Sequence, residues 1–248
     1  MNENFAREEI CRVGKSLFER GYAHATAGNI SVRLDDGFLI TPTDACLGFL
    51  DPARLARLDA QGRQTGGDKA SKTLALHTRI YDSTRGFKAP PRCVLHTHST
   101  YCVALTLQPQ GERPPGSRLA ASVFAQGSSE TGGGPAFPQD ELLPPITPYF
   151  VMKVGHVPVI PYHRPGDPRV AEQVAHTIAR YADAGIALRA VMLERLGPNV
   201  WHETPAGAMA TLEELEETAR LFFNCRLVPD PLTVAELEDL RHHFGVSW

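Results

Sequence analysis

The sequence predicts an α/β protein built on a mixed sheet with helices packed over it. Three observations lead there. Short apolar stretches of strand length recur along the chain, and they interleave with segments whose apolar residues repeat at helical spacing. Some strands are joined by tight hairpin turns, so the sheet cannot be wholly parallel. The chain has 248 residues, 42% hydrophobic and 21% charged, with a net charge of -3, the profile of an ordinary globular protein. That length fits a single large domain over residues 1-248. No basic bias suggests nucleic acid as a partner. Five cysteines, an odd number without a regular framework, suit a reducing cytoplasm. A polar start from Met1 to Phe5 argues against a signal peptide, and no apolar run is long enough to span a bilayer. A cytoplasmic protein with no membrane contact is expected.

From Phe5 to Gly21, Ile10, Val13, Leu17 and Phe18 mark a helix that Gly21 stops. His24-Ala25-Thr26-Ala27-Gly28-Asn29 is a small-residue turn into the alternating strand Ile30 to Leu34. Asp35-Asp36-Gly37 then turns the chain back into Phe38-Leu39-Ile40. Leu47 to Pro52 opens a short segment, and Gln61 to Gln64 reads as another hairpin. A helix carrying Leu74, His77 and Tyr81 on one face follows Gly66 to Lys72, with Ser71 as its cap. The strand Cys93-Val94-Leu95-His96 comes next, then a helix from near Ser99.

Between Gln108 and Asp140, prolines and glycines leave little periodicity, and a loop insertion over 108-140 is expected. Val151 to Gly155 and Val157 to Ile160 look strand-like. Asp167-Pro168 starts a helix with an Asp cap, its core face formed by Val170, Val174, Ile178 and Tyr181. Ala190 to Leu193 and a second strand through Trp201 follow. Thr211-Leu212-Glu213-Glu214 reads as a capping box opening a helix, and Thr233 to Glu236 as a second one.

Chemistry concentrates at three places. In His96-Thr97-His98, side-chain alternation sends both imidazoles to one side, so one edge offers two ligands to a transition metal such as zinc. A pair of buried structural histidines is the competing reading. The turn at Thr26 to Asn29 can present N–H groups and side chains to an anion, or be only a tight helix-to-strand turn. Gly66 to Lys72, with lysines ahead of a helix N-terminus, suits an anion equally, or is a solvated capped loop.

Thr26-Ala27-Gly28-Asn29-Ile30-Ser31 and His96-Thr97-His98, in that order, resemble the signature of the class II aldolase/adducin family. A narrower similarity, to its 3-oxo-tetronate 4-phosphate decarboxylase branch, rests on several further motifs. They are Leu47-Gly48-x-Leu50-Asp51-Pro52, Asp68-Lys69-x-Ser71-Lys72, Thr147-Pro148-Tyr149-x-Val151-Met152, Pro161-Tyr162-x-Arg164-Pro165-Gly166-Asp167-Pro168 and Leu215-Glu216-Glu217-Thr218-Ala219. The resemblance implies an α/β/α sandwich around a mostly antiparallel sheet, and homotetramers with active sites between subunits. It implies a divalent metal, usually zinc, with Fe(II) or Mn as other candidates, on His96 and His98. It also implies a phosphate cradle of Thr26, Gly28, Asn29, Ser71 and Lys72, with Tyr162 and Arg164 as further substrate contacts. Catalytic candidates are Lys72, Thr73 and Tyr149.

Two positions depart from the family pattern. Thr73 stands where a glutamate usually serves as acid/base, and Leu196 stands where a third histidine ligand is usual. Glu194, His156, His163 and His202 are the substitutes the sequence offers for that ligand. The expected activity is that of a metal-dependent carbon–carbon lyase, a decarboxylase or aldolase of carbohydrate metabolism acting on a small anionic oxo-acid or sugar phosphate. Two alternatives stay open, a non-catalytic ligand-binding homologue and a repurposed Fe(II)-dependent oxygenase.

Overall fold

The computed structural model describes residues 2–107 and 141–248, so the expected 108-140 insertion lies outside the described residues. Eight strands among these residues form one sheet in the order β4-β3-β2-β1-β5-β8-β7-β6. They are β1 (Asn29–Leu34), β2 (Gly37–Ile40), β3 (Ala56–Asp59), β4 (Gln64–Gly66), β5 (Cys93–His96), β6 (Val159–Ile160), β7 (Ala190–Leu193) and β8 (Gly197–His202). Every pairing is antiparallel except β6 with β7, so the mostly antiparallel mixed sheet is borne out.

Helices cover both faces, which makes the α/β/α layering. On one face lie α1 (Glu3–Glu19), α3 (Thr100–Leu107), α4 (Pro148–Lys153), α6 (Pro205–Asn224) and α7 (Val234–Phe244). Their Ile10, Val13, Leu17, Phe150, Leu212 and Leu215 bury against Ile30, Val32, Leu95 and Val200 of the sheet. On the other face, α2 (Leu74–Ser83) and α5 (Pro168–Asp183) set Ile80, Tyr81, Val174 and Ile178 against Val94, Val191 and Trp201. Alternate residues of β5 therefore serve different cores, and the strand is buried throughout. No helix among the described residues is long and apolar enough to cross a membrane.

Local chemistry accounts for most boundaries. Asp167 accepts the Arg169 N–H at 3.0 Å with Pro168 in the first turn of α5. Thr233 and Glu236 form the reciprocal capping box of α7, which ends on Gly245 at φ 64°. Three expectations need correction. Val151 to Gly155 is not a strand: Thr147 caps the Phe150 N–H at 3.1 Å, Pro148 presets the first turn, and α4 runs through Val151. The device overrides the β-branched content. Thr211 does not open α6, which starts seven residues earlier on the Thr204 cap; mid-helix, the Thr211 hydroxyl donates back to the Gly207 carbonyl at 3.1 Å. Ser71 is not the cap of α2, whose preceding residue Thr73 makes no side-chain cap bond either.

Candidate metal centre and anion cradle

The three central strands bring the candidate residues into one row. Asn29 of β1 pairs with His96 of β5, and His96 pairs with Asn199 of β8. Directly opposed residues point to the same face, so three polar side chains stand side by side at the sheet's end, on the α2 side. All three are buried, at 7%, 4% and 1% exposure. Beyond the strand end, the His98 ring lies with its centre 5.1 Å from that of His96. A third imidazole joins them: the His24 ring centre is 6.4 Å from that of His98.

Two glycines hold the histidine segment from either side. A Cβ on Gly28 (φ 95°) would sit 2.7 Å from the His96 carbonyl oxygen. A Cβ on Gly197 (φ 144°) would sit 2.0 Å from the Thr97 carbonyl oxygen. Both backbones approach closer than any side chain permits. Downstream, the Thr97 and Ser99 hydroxyls lie 2.5 Å apart, and α3 begins at Thr100. Its first turn is held by Glu216 of α6, whose carboxylate accepts the Tyr101 and Cys102 N–H groups at 2.8 and 3.0 Å. The neighbouring Glu217 accepts from the Tyr22 hydroxyl at 2.9 Å, tying α6 to the turn that leads to His24. The Leu215-Glu216-Glu217 motif thus works as scaffold for the histidine segment.

The anion-binding candidates converge on the same end of the sheet. Thr26, Gly28 and Asn29 form the entry to β1. Thr41, bonded to Ile30 through its N–H and its hydroxyl, accepts the Ser71 N–H at 3.2 Å. Ser71, Lys72 and Thr73 are therefore stitched to β1 one residue beyond Asn29, ahead of the first turn of α2, whose N–H groups no side chain caps. Thr73 contributes a hydroxyl, 3.0 Å from that of Ser71. Lys72 is exposed. Tyr149, Tyr162 and Arg164 are exposed too, and among the described residues no hydrogen bond ties their side chains to the histidines.

The His96 Nδ1 lies 2.8 Å from the Pro198 carbonyl oxygen. A carbonyl only accepts, so Nδ1 carries the proton and Nε2 keeps its lone pair, the arrangement a metal-bound histidine needs. Burial, the neighbouring His98 and, in the opposite sense, that carbonyl leave the His96 pKa at about 4, so the ring is neutral at neutral pH. His98 is also lowered, by burial first and then by His24. His77 of α2 is lowered to about 3 by complete burial and by His96; its Nδ1 meets the Ser31 hydroxyl at 2.8 Å, while its Nε2 has no partner. Among the described residues, Asn29 Oδ1 and both polar atoms of the Asn199 side chain are buried without partners as well. Such orphans are rare in a folded chain; among the described residues these belong to neighbours of His96, while others, on Arg79, His202 and Trp248, lie elsewhere.

A divalent ion is what the family resemblance asks of this site. Two imidazoles bound to one tetrahedral ion at about 2.1 Å per nitrogen have ring centres roughly 5 Å apart. The His96–His98 spacing and the fixed His96 tautomer meet that demand, so the pair fits the ion. Among the described residues, no three His, Cys, Asp or Glu side chains already converge as a ligand set. Leu196 packs into the apolar layer with Val170 and Ile186. The substitutes offered by the sequence are engaged elsewhere. Glu194 accepts the Tyr162 N–H at 2.9 Å, His156 meets Glu141 at 2.9 Å and stacks on Trp248, and His163 meets Gln173 at 2.8 Å. His202 sits opposite Cys93 at the other end of β5, lining a separate cleft of about 500 Å³ with Arg189 and Met152.

Three residues of the site were not singled out by sequence reasoning, His24, His77 and Asn199, and Glu216 was named only within the Leu215-Glu216-Glu217 motif, without a role. Asn199 carried a local signal, a carboxamide inside an apolar strand run. His24 and His77 are brought in by tertiary packing.

A model of the Class II Aldolase and Adducin N-terminal domain matches residues 8–223. The chain is 48% identical over 251 aligned residues to the 3-oxo-tetronate 4-phosphate decarboxylase of Cupriavidus necator, covering 99% of both chains. It is 38% identical over 243 residues to the protein of that name from Escherichia coli, covering 96% of each. Among solved structures, YgbL of Klebsiella pneumoniae superposes with a TM-score of 0.76 at 37% identity, over 97% of this chain and 100% of that one.

Proposed function

The chain belongs to the class II aldolase and adducin family, and we propose that within it this protein is a carbon–carbon lyase that decarboxylates a small 3-oxo acid bearing a phosphate. One juxtaposition carries the reading: a neutral histidine pair beside an uncapped helix N-terminus flanked by Ser71 and Lys72, with a hydroxyl rather than a carboxylate at position 73. The activity named for the Cupriavidus necator relative supports the substrate class.

In this reading the phosphate lies on Thr26, the Gly28 and Asn29 backbone, Ser71 and Lys72, where the Lys72 charge and the positive end of α2 favour an anion. The substrate's 3-oxo group faces His96 and His98. A divalent ion held there, zinc or else Mn or Fe(II), supplies a Lewis acid for the carbonyl oxygen. When the bond between the carboxylate carbon and C2 breaks, CO2 leaves and its bonding pair becomes an enolate. The former C2 then takes up one proton. In this reading Lys72 is the candidate to deliver it or to stabilise the developing negative charge. Aldol cleavage needs a base to remove a hydroxyl proton, and Thr73 cannot serve near neutral pH; decarboxylation has no such step. The glutamate is therefore dispensable to this reaction.

Exposure of Tyr149, Tyr162 and Arg164 on the single chain suits a cytoplasmic homotetramer in which they line a neighbour's site. The oxygenase alternative requires a carboxylate beside two histidines, and Glu194, the nearest in sequence to Leu196, binds the Tyr162 backbone instead.

The test is CO2 release from 3-oxo-tetronate 4-phosphate by the purified full-length chain supplied with Zn(II), Mn(II) or Fe(II). One CO2 per substrate is expected, with a rise in KM of at least tenfold for the unphosphorylated acid and for Lys72→Ala. Tight binding of the phosphorylated acid without CO2 release would move the protein to the ligand-binding alternative.

A further inference from the structure

The site has lost the histidine that the family pattern puts at 196, and it contains an imidazole that the pattern does not mention. His24 lies on the turn closed by the bond from the Ala27 N–H to the His24 carbonyl at 2.9 Å, followed by Ala25 at φ 47°. The turn is fixed on one side by the buried Ala23 and on the other by the Gly28 contact with the His96 carbonyl. From this position the ring is turned edge-on to His98, at 75° between planes. The His98 ring thus has His96 at 5.1 Å and His24 at 6.4 Å.

We propose that His24 replaces the missing histidine, so that His24, His96 and His98 form a three-imidazole site for a zinc-type divalent cation. The proposal rests on the reading above only in taking His96 and His98 as metal ligands.

The spacing decides how much must move. His96 and His98 already stand at the separation of two ligands of one tetrahedral ion, and the His24–His98 distance exceeds it by about 1 Å. The two parts of the site differ in freedom. His96 is buried with its Nδ1 bound to the Pro198 carbonyl, and it stays where it is. His24 is exposed, so its side-chain bonds are free to rotate, and it is this ring that has to move, towards His96 as well as His98. Among the described residues the three rings do not yet converge as a ligand set, so the His24 ring has to swing in to complete the site.

The donor set has a chemical consequence. Three neutral imidazoles leave the full charge of a divalent ion in place, whereas a carboxylate ligand would cancel part of it. The fourth position is free for an oxygen of the substrate, as in catalytic zinc sites with three protein ligands. The strongest available Lewis acid is what a reaction needs when no acid/base carboxylate assists it. The threonine at 73 and the histidine at 24 then serve one and the same chemistry.

The experiment titrates Zn(II) and Co(II) into the metal-free full-length wild type, His24→Ala, His24→Gln and His98→Ala. Wild type is expected to bind one ion per chain, with the intense visible band of tetrahedral Co(II). Both His24 variants are expected to bind at least 100-fold more weakly and to lose that band, with metal-free Tm unchanged because the residue is exposed. Binding by His24→Ala within threefold of wild type, with the Co(II) band intact, would place the third ligand elsewhere and overturn the proposal. Failure of wild type to bind either ion would overturn it as well; CO2 release by the same metal-free sample would leave the lyase reading standing.

Discussion

Glu216 offers the sharpest test of how the site is supported, because a carboxylate on α6 holds a helix that starts two residues after His98. Its carboxylate is nearly sequestered, at 6% exposure, and accepts two N–H groups at 2.8 and 3.0 Å. Hydrogen bonds to a charged group contribute about 1.5–3 kcal/mol each, and the position at the N-terminus of α3 adds roughly 0.3–1 kcal/mol. Glu216→Ala leaves both donors without an acceptor; with water recovering part of the loss, the expected cost is about 3–5 kcal/mol. For a chain of this length that is a fall in Tm of roughly 6–20 °C. Glu216→Gln keeps one good acceptor and should lose about half as much. Urea unfolding at pH 7 reads the difference as a shift in midpoint at constant slope. Glu217→Ala, which loses one bond from the Tyr22 hydroxyl, serves as the control and should cost less than about 1.5 kcal/mol. A Glu216→Ala protein within about 1 kcal/mol of wild type would refute the assignment of Glu216 as the anchor of α3.

Two further predictions concern the buried polar layer. His77 and His96 have folded pKa values of about 3 and about 4, below the unfolded value near 6.5, so the unfolded chain takes up protons first as pH falls. Their contribution is complete above pH 6.5 and is lost on acidification towards those folded values, at up to about 1.4 kcal/mol per pH unit for each ring. His77→Asn should therefore lose about 1 kcal/mol less stability than wild type between pH 6 and pH 5 in urea titrations; equal losses would mean that His77 is charged when folded. Asn199→Leu removes two orphaned polar atoms at almost constant volume and should stabilise the protein by about 1 kcal/mol or more. A destabilisation of that size would show that the carboxamide is satisfied by bound water.

Periodicity and caps made most of the fold readable, and the failures share a cause. α5 and α7 begin where their Asp and Thr caps are written, because an N-cap acts within three residues of itself. The Thr211 box has the right residues, but in the helix its hydroxyl is taken by Gly207 four residues back. The start that works, Thr204-Pro205, uses the same device as Thr147-Pro148 and Asp167-Pro168. What hid it was Gly207, a weak helix former kept there because a Cβ would overlap the His202 ring. The demand came from a strand, across a contact that no local pattern carries.

The site divides along the same line. His96 and His98 were legible because one residue separates them, although β5 ends at His96 and His98 lies just beyond it. Asn199 shares a row with His96 only through a register 103 positions away in the chain, and Glu216 reaches α3 across 114 positions. His24 is the instructive case. It lies two residues before a motif that was recognised, yet its meaning depends on a leucine at 196 that turns inward to an apolar layer. A lost ligand and a gained one can compensate only if both lie around the same ion. The two positions are 172 residues apart, and Gly28 and Gly197, each within a few residues of one of them, approach the two sides of one histidine segment. In the proposed arrangement the two glycines set the geometry of the histidine segment, and a different position supplies the third ligand.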